Sequence, residues 1–151
     1  MFRKATINDS DRIYHLICDL EQEELPYRRF QEIFQRQLND SRYCCLVLEV
    51  KSKIAGVLNL RFEEQLHHAA VIAEIMEFIV DPTFRNKGLG KQLFEFACQT
   101  AREYGCLQIE AACNQQRTDT HRFYINENMR NEHYKFSKSL KDHILEVEND
   151  V

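Results

Sequence analysis

The chain has 151 residues, 44% of them hydrophobic and 29% charged, which is enough to close one hydrophobic core but short for two ordinary domains. A formal net charge of -4 excludes a general electrostatic attraction to nucleic acid or to an anionic membrane, so an anion would have to be bound by a local arrangement of groups. We therefore expect a single domain over residues 2–145, with neither nucleic acid nor a membrane as a partner.

The expected compartment follows from cysteine usage and hydropathy. No stretch approaches the roughly 18 consecutive apolar residues that cross a bilayer, and the first residues, MFRKATINDSDR, lack the apolar centre of a secretion signal. The six cysteines never form a C-x-x-C pair, which favours buried reduced thiols over a disulfide framework or a zinc site. We expect a cytoplasmic protein.

The first part of the chain predicts a strand and two helices. Residues 2–6 are a short strand candidate, and the polar residues after them offer caps for a helix over residues 9–24. Pro26 suits the first turn of a second helix, which carries an apolar stripe and ends near residues 39–41.

The rest of the chain alternates strands and helices. Residues 43–50 and 53–62 read as a hairpin, a strand over 69–80 follows, and a helix over 88–104 ends at Gly105. A strand over 107–113, a helix containing residues 119–128 and an alternating strand over 133–140 complete the chain. This order of elements predicts a mixed α/β fold.

The segment DPTFRNKGLGKQL, residues 81–93, contains two of the four glycines of the chain. At the start of a helix, unpaired N–H groups and the helix dipole favour an anion, and the missing β-carbons at Gly88 and Gly90 would let phosphate oxygens approach the main chain. The sequence matches neither G-x-x-x-x-G-K-[ST] nor G-x-G-x-x-G. An ordinary tight turn between strand and helix is the alternative reading.

The run Arg85-Asn86-Lys87-Gly88-Leu89-Gly90 resembles the R/Q-x-x-G-x-G/A signature of the GNAT family of N-acetyltransferases, and it lies between the fourth strand and the third helix, as it does in that family. The Phe123-Tyr124 pair on the next helix also resembles the family, and from residue 2 to 140 the chain is most similar to its aminoalkylphosphonate acetyltransferases. The resemblance implies a mixed, largely antiparallel central sheet of about six to seven strands, with helices on both faces and strands 4 and 5 splayed.

The same resemblance implies acetyl-CoA as the acetyl donor. The loop would hold the cofactor's pyrophosphate, mostly through backbone N–H groups, and strand 4 would offer main-chain hydrogen bonds to the pantetheine arm because splayed strands leave such groups unpaired. Asn114, after the fifth strand, would also contact the cofactor. The implied cofactor-binding residues are Phe78, Ile79, Val80, Arg85, Asn86, Lys87, Gly88, Leu89, Gly90, Lys91, Asn114 and Tyr124.

Acetyl transfer from a thioester to an amine needs a base for the amine and a proton for the departing thiolate. Glu74 and Glu77 on the fourth strand are both candidates for the base, directly or through water, and the family resemblance implies Tyr124 as the acid. The structural alternatives are ion-paired carboxylates on a strand and a Phe-Tyr pair that packs in the core.

The acceptor would be a small-molecule amine, with an aminoalkylphosphonate favoured by the resemblance. An acidic head group favours basic side chains, and the candidates for substrate binding are His67, His68, Arg117, His121 and Tyr27. A divalent metal ion is a second option, although adjacent histidines on a strand would face opposite ways. Other amines, a non-catalytic acyl-CoA-binding regulator and a homodimer are left open.

Overall fold

The computed structural model describes residues 1–141, and these divide into one compact unit over residues 1–111 and a second that begins at Ala112. The first unit contains β1 (Phe2–Lys4), α1 (Ser10–Glu21), α2 (Tyr27–Leu38), β2 (Tyr43–Val50), β3 (Lys53–Gln65), β4 (Ala70–Val80), α3 (Leu89–Glu103) and β5 (Gln108–Ala111). The second contains α4 (Thr118–Asn126). The end of the expected domain, residues 142–145, lies outside the described residues.

One open sheet with the strand order β1-β2-β3-β4-β5 organises the first unit. All neighbouring strands are antiparallel except β4 and β5, which are parallel because α3 connects them. The predicted two-residue hairpin between β2 and β3 is confirmed, since Lys51 and Ser52 both adopt the left-handed conformation that such turns require. The mixed α/β fold is therefore confirmed.

The prediction of a closing strand over residues 133–140 is wrong. Residues 131–139 contain no regular secondary structure, and the described part of the chain has five strands instead of the expected six to seven. An alternating pattern becomes a strand only where a neighbouring strand accepts its hydrogen bonds, and such a pattern alone does not supply that neighbour. Tyr134 and Phe136, the aromatic residues of this segment, are 82% and 90% exposed.

Helices cover both faces of the sheet, so β3 carries apolar side chains on both of its faces. On one face Val57 belongs to a core with Ile13 and Leu16 of α1 and Phe34 of α2. On the other face Phe62 stacks on Tyr104, directly after α3, with ring centroids 3.9 Å apart. Alternation along β3 therefore assigns every second residue to the α1/α2 face, and this assignment fixes where the polar residues of β3 point.

The predicted divergence of the fourth and fifth strands is present. Pairing of β4 with β5 runs from Ile72–Gln108 to Ile75–Ala111 and ends there, whereas β4 continues to Val80. Beyond Ile75, β4 is paired through β3 alone, up to the Gly56–Val80 pair. Backbone groups on the β5 side of this last stretch of β4 are thus left outside the ladder.

All six cysteines are free, as expected, although only Cys44 is fully buried. Within residues 1–141, no helix is both long enough and apolar enough to span a bilayer.

Candidate active site

The first residues of the loop between β4 and α3, which precede its glycines, are held by hydrogen bonds to Asp81. Asp81 accepts hydrogen bonds of 2.8 Å from the backbone N–H and the hydroxyl of Thr83, and Arg12 of α1 donates to its other oxygen. The Thr83 hydrogen bonds, helped by the Arg12 cation, hold the pKa of Asp81 below its ordinary value. A short 3-10 turn, Pro82–Phe84, follows, so the loop has a fixed start.

Two residues of this loop adopt the left-handed conformation, Asn86 with φ 63° and Gly88 with φ 75°. Gly88 is the N-terminal cap residue of α3, so the unpaired N–H groups of the first helical turn lie beside it. A β-carbon built on Gly88 would meet no atom within 4 Å, which shows that the space in front of it is open. Open space, a left-handed backbone and a helix N-terminus together fit a diphosphate group.

The basic residues of the motif differ in their contacts. Nε of Arg85 donates a 2.9 Å hydrogen bond to the carbonyl oxygen of Val80, so this side chain ties the loop back to the end of β4. Lys87 lies over the ring of Phe84, 5.8 Å from its centroid. Lys91 is exposed on the first turn of α3. The main chain of the loop, with two exposed ammonium groups nearby, is therefore the part that faces solvent.

A β-bulge brings the two candidate bases to one face of the sheet. Asn59 pairs with Glu77 and Arg61 pairs with Glu74, while the register shifts between Asn59 and Leu60, so that Met76 is the extra residue of β4. Asn59 and Arg61 are two residues apart on β3 and share the α1/α2 face, and cross-strand partners share a face as well. Glu74 and Glu77, three residues apart, would lie on opposite faces in a regular strand.

Glu77 is embedded in an amide network. Nδ2 of Asn59 donates to Oε2 of Glu77 at 2.9 Å and to Oε1 of Gln37, on α2, at 3.0 Å. Removal from water raises the pKa of Glu77, the hydrogen bond from Asn59 opposes this rise, and the negative charge of Glu21 adds to it. A carboxylate with a raised pKa is a better proton acceptor than an exposed one.

Glu74 has a different environment on the same face. Its Oε2 lies 2.7 Å from Nη2 of Arg61, which is also 3.6 Å from a carboxylate oxygen of Glu63. The guanidinium neutralises the Glu74 carboxylate and occupies one of its two oxygens. Of the two candidate bases, Glu77 is therefore the one without a cationic partner among its described contacts.

In the second unit, a turn before α4 gathers three of the predicted residues. The side chain of Asn114 accepts from the backbone N–H of Gln116 at 2.8 Å, and its carbonyl oxygen accepts from the backbone of Arg117 and from Nε2 of His121. These contacts order the turn. On the same helix, burial and the neighbouring Cys113 raise the pKa of Tyr124 to about 12, and the Arg117 cation opposes that rise.

The remaining predicted residues lie elsewhere in the first unit. His67 and His68 occupy the turn between β3 and β4, with ring centroids 4.3 Å apart, and Glu77 lies seven residues into β4 beyond Ala70, on the order of 20 Å away. Tyr27 begins α2, where its hydroxyl donates to Asp11 and accepts from Gln31. Residues 1–141 contain no group of three or more His, Cys, Asp or Glu side chains placed for a metal ion.

Asn59, Arg61 and Gln37 were missed by reasoning from the sequence. The available signal was the stretch GVLNLRF, in which two polar residues interrupt an otherwise apolar strand at every second position. Asn59 also lines a cavity of about 270 Å³ whose other walls come mainly from β2, α2 and the turn after α2. None of the residues predicted from the sequence lines this cavity.

Comparison with known proteins identifies the family to which the chain belongs. The sequence model of the Acetyltransferase (GNAT) family matches residues 10–126. An aminoalkylphosphonate N-acetyltransferase from Salmonella typhimurium is 36% identical over 138 residues, covering 91% of this chain and 90% of that protein. A glucosamine 6-phosphate N-acetyltransferase from Arabidopsis thaliana is 31% identical over 113 residues, covering 74% of this chain and 72% of that protein.

A solved structure agrees in fold. A protein described as a transcriptional regulator from Bacillus halodurans C-125 superimposes with a TM-score of 0.86 at 25% identity, covering 93% of this chain and 99% of that one. The family match includes the loop with Gly88, both carboxylates of β4, and Tyr124. The chain therefore belongs to the GNAT family and is an acetyl-CoA-dependent N-acetyltransferase that acts on an amine.

Proposed function

We propose that the protein transfers the acetyl group of acetyl-CoA to the primary amine of an aminoalkylphosphonate or a closely related small amine. The relative from Salmonella typhimurium, similar over nine-tenths of both chains, supports this choice of acceptor. The observation that carries the mechanism is the position of Glu77, hydrogen-bonded by Asn59 on the part of β4 that β5 no longer covers. We further propose that residues 2–145 act as one catalytic domain.

The donor would be held by the loop and by β4. Backbone N–H groups from Asn86 to Lys91 at the start of α3 would bind the diphosphate, and Lys87 and Lys91 would add positive charge. The stretch of β4 beyond the last β5 pair would offer main-chain groups to the pantetheine arm. Acetyl-CoA supplies an activated acetyl thioester when bound.

Glu77 would accept the proton of the incoming ammonium group, directly or through a water molecule. Its raised pKa brings it closer to the pKa of the amine, and Asn59 fixes which oxygen is free for that proton. Glu74 would instead hold the guanidinium group of Arg61 in place, because its carboxylate is already engaged in that ion pair.

Tyr124 would supply the proton for the departing thiolate. With a pKa of about 12, the phenol keeps its proton at neutral pH, as a general acid must. The family resemblance of the Phe123-Tyr124 pair supports this role.

Tyr124→Phe is expected to lower kcat about 100-fold, the lower end of the usual range for general acid catalysis, because a thiolate of pKa near 8.5 needs less help than an alkoxide. Affinity for coenzyme A should change little. Steady-state kinetics and calorimetric titration with CoA measure the two quantities. Tyr134→Phe, at a residue that is 82% exposed, serves as the control. A variant that loses CoA affinity while keeping kcat would refute the acid role.

The acceptor is tested with a panel of amines. Release of free thiol is recorded with aminomethylphosphonate, 2-aminoethylphosphonate, glucosamine 6-phosphate, spermidine and kanamycin, each with and without a divalent metal ion. We expect the highest kcat/KM with an aminoalkylphosphonate. Turnover of every amine except the phosphonates would contradict the proposed acceptor. CoA binding without turnover of any amine would instead support a regulator, the description given to the Bacillus halodurans structure.

A further inference from the structure

Two buried polar atoms without a hydrogen-bond partner belong to successive residues of β3 on the face that carries Glu77. Among the buried side-chain nitrogen and oxygen atoms of the described residues, only Ser10 Oγ, Asn59 Oδ1 and Arg61 Nε have no partner. Asn59 and Arg61 are two residues apart on β3, so they share the α1/α2 face and are about 7 Å apart along the strand. Buried polar groups are rarely left unpaired, and two neighbours of this kind indicate that something else pairs with them.

The two atoms have opposite hydrogen-bonding character. Asn59 is only 8% exposed, and its amide nitrogen is committed to Glu77 and Gln37, which leaves the oxygen as an acceptor. Arg61 uses Nη2 for Glu74, which leaves the charged Nε–H as a donor. An acceptor beside a carboxylate suits an ammonium group, and a guanidinium N–H suits an anion.

We propose that Asn59 and Arg61 select the acceptor by binding the two ends of a short zwitterionic amine along β3. The amine lies against Asn59 Oδ1 and Glu77, and the acidic head lies against Arg61 Nε. This inference rests on the proposed function and narrows its substrate class to amines that carry an acid a few bonds away. A cavity of about 270 Å³, lined by Asn59 and Gln37, adjoins the amine end of this arrangement.

The arrangement also explains why amines without an acidic group would be poor acceptors. An amine of the same length without an acid leaves the Arg61 N–H buried and unpaired, and sites built around such a hydrogen bond discriminate strongly against analogues that lack it. Glu74 and Glu63 hold the Nη2 end of the guanidinium and fix the side chain, so the Nε edge is presented in one orientation. Asn59 and Arg61 thus determine which acceptor binds, and neither is required to move a proton.

The test compares two acceptors of equal length, 2-aminoethylphosphonate and propylamine, in wild type, Arg61→Lys and Arg42→Lys. Lysine keeps the positive charge at position 61 but has no Nε–H edge. Arg42 is the matched control, because it is also ion-paired, with Asp40, but its side chain is 73% exposed. Arg61→Lys should lower the preference for the phosphonate, as a ratio of kcat/KM values, by about 10- to 100-fold, and Arg42→Lys should leave it unchanged.

A second measurement needs no variant. Ethylphosphonate, which has the acid but no amine, should inhibit wild type competitively against 2-aminoethylphosphonate. Absence of that inhibition, or an equal loss of kcat/KM for both amines in Arg61→Lys, overturns the zwitterion site while the acetyltransferase function stands. Failure of wild type to acetylate any amine overturns the proposed function, and the zwitterion site with it.

Discussion

Gly88→Val is expected to abolish measurable binding of coenzyme A and, with it, all transfer. A side chain at Gly88 would occupy the open space in front of the α3 N-terminus, where no protein atom lies within 4 Å of a β-carbon. Loss of only two charge-assisted hydrogen bonds of about 1.5–3 kcal/mol each would weaken binding by at least about 100-fold. Calorimetric titration of the purified variant with CoA measures this effect.

The chain provides a matched control at the other end of the same helix. Gly105 also has a left-handed backbone, with φ 81°, and a β-carbon there also meets nothing within 4 Å. Gly105→Val therefore has a similar backbone strain and a similar loss of stability, without placing a side chain near the helix N-terminus. Equal CoA affinity in the two variants, or an unchanged affinity in Gly88→Val, would remove the diphosphate site from the loop.

The loop was predictable because its determinants are local. The end of β4 before Asp81-Pro82, a left-handed glycine and a helix that begins at the next residue are all encoded within residues 80–90. The hairpin at Lys51-Ser52 and both helices before β2 were predictable for the same reason, since a turn and a helix cap depend on neighbours in the chain. The strand boundaries shifted by a few residues, and β3 extends to Gln65 instead of residue 62.

The arrangement around Glu77 could not be predicted from the residues alone. A bulge at Met76 is fixed by how β4 pairs with β3, and one extra residue moves every later side chain to the other face of the sheet. The roles of Asn59 and Arg61 depend on partners 18 and 13 residues away, which no local pattern identifies. The strand predicted over 133–140 failed similarly, because its alternation was real but its pairing partner was assumed.

Glu77→Gln is expected to lower kcat/KM by about 10²- to 10⁴-fold, the usual contribution of a general base, with CoA affinity unchanged. Glutamine has nearly the same shape, and its carbonyl oxygen can still accept the hydrogen bond from Asn59, so the packing of the network is kept. Steady-state kinetics with 2-aminoethylphosphonate measures the loss. Glu74→Gln, which instead breaks the ion pair with Arg61, should lower activity less and stability more. The reverse order of the two variants would assign the base to Glu74.

The pH dependence of stability separates the role of Glu77 from a general loss of structure. Burial raises its pKa in the folded protein above the usual 4.5, so the folded state holds the proton more tightly than the unfolded state does. Wild type therefore loses stability as pH rises from below 4.5 through the raised pKa of the folded state, whereas Glu77→Gln has no proton to lose. The Tm of the variant should equal that of wild type in acid and exceed it at neutral pH.

The acid limb of the wild-type kcat/KM profile should lie above pH 4.5 and be absent from the residual activity of Glu77→Gln. A variant that is less stable than wild type at neutral pH would show that the ionised carboxylate stabilises the fold, and Glu77 would then be a structural residue and not the base.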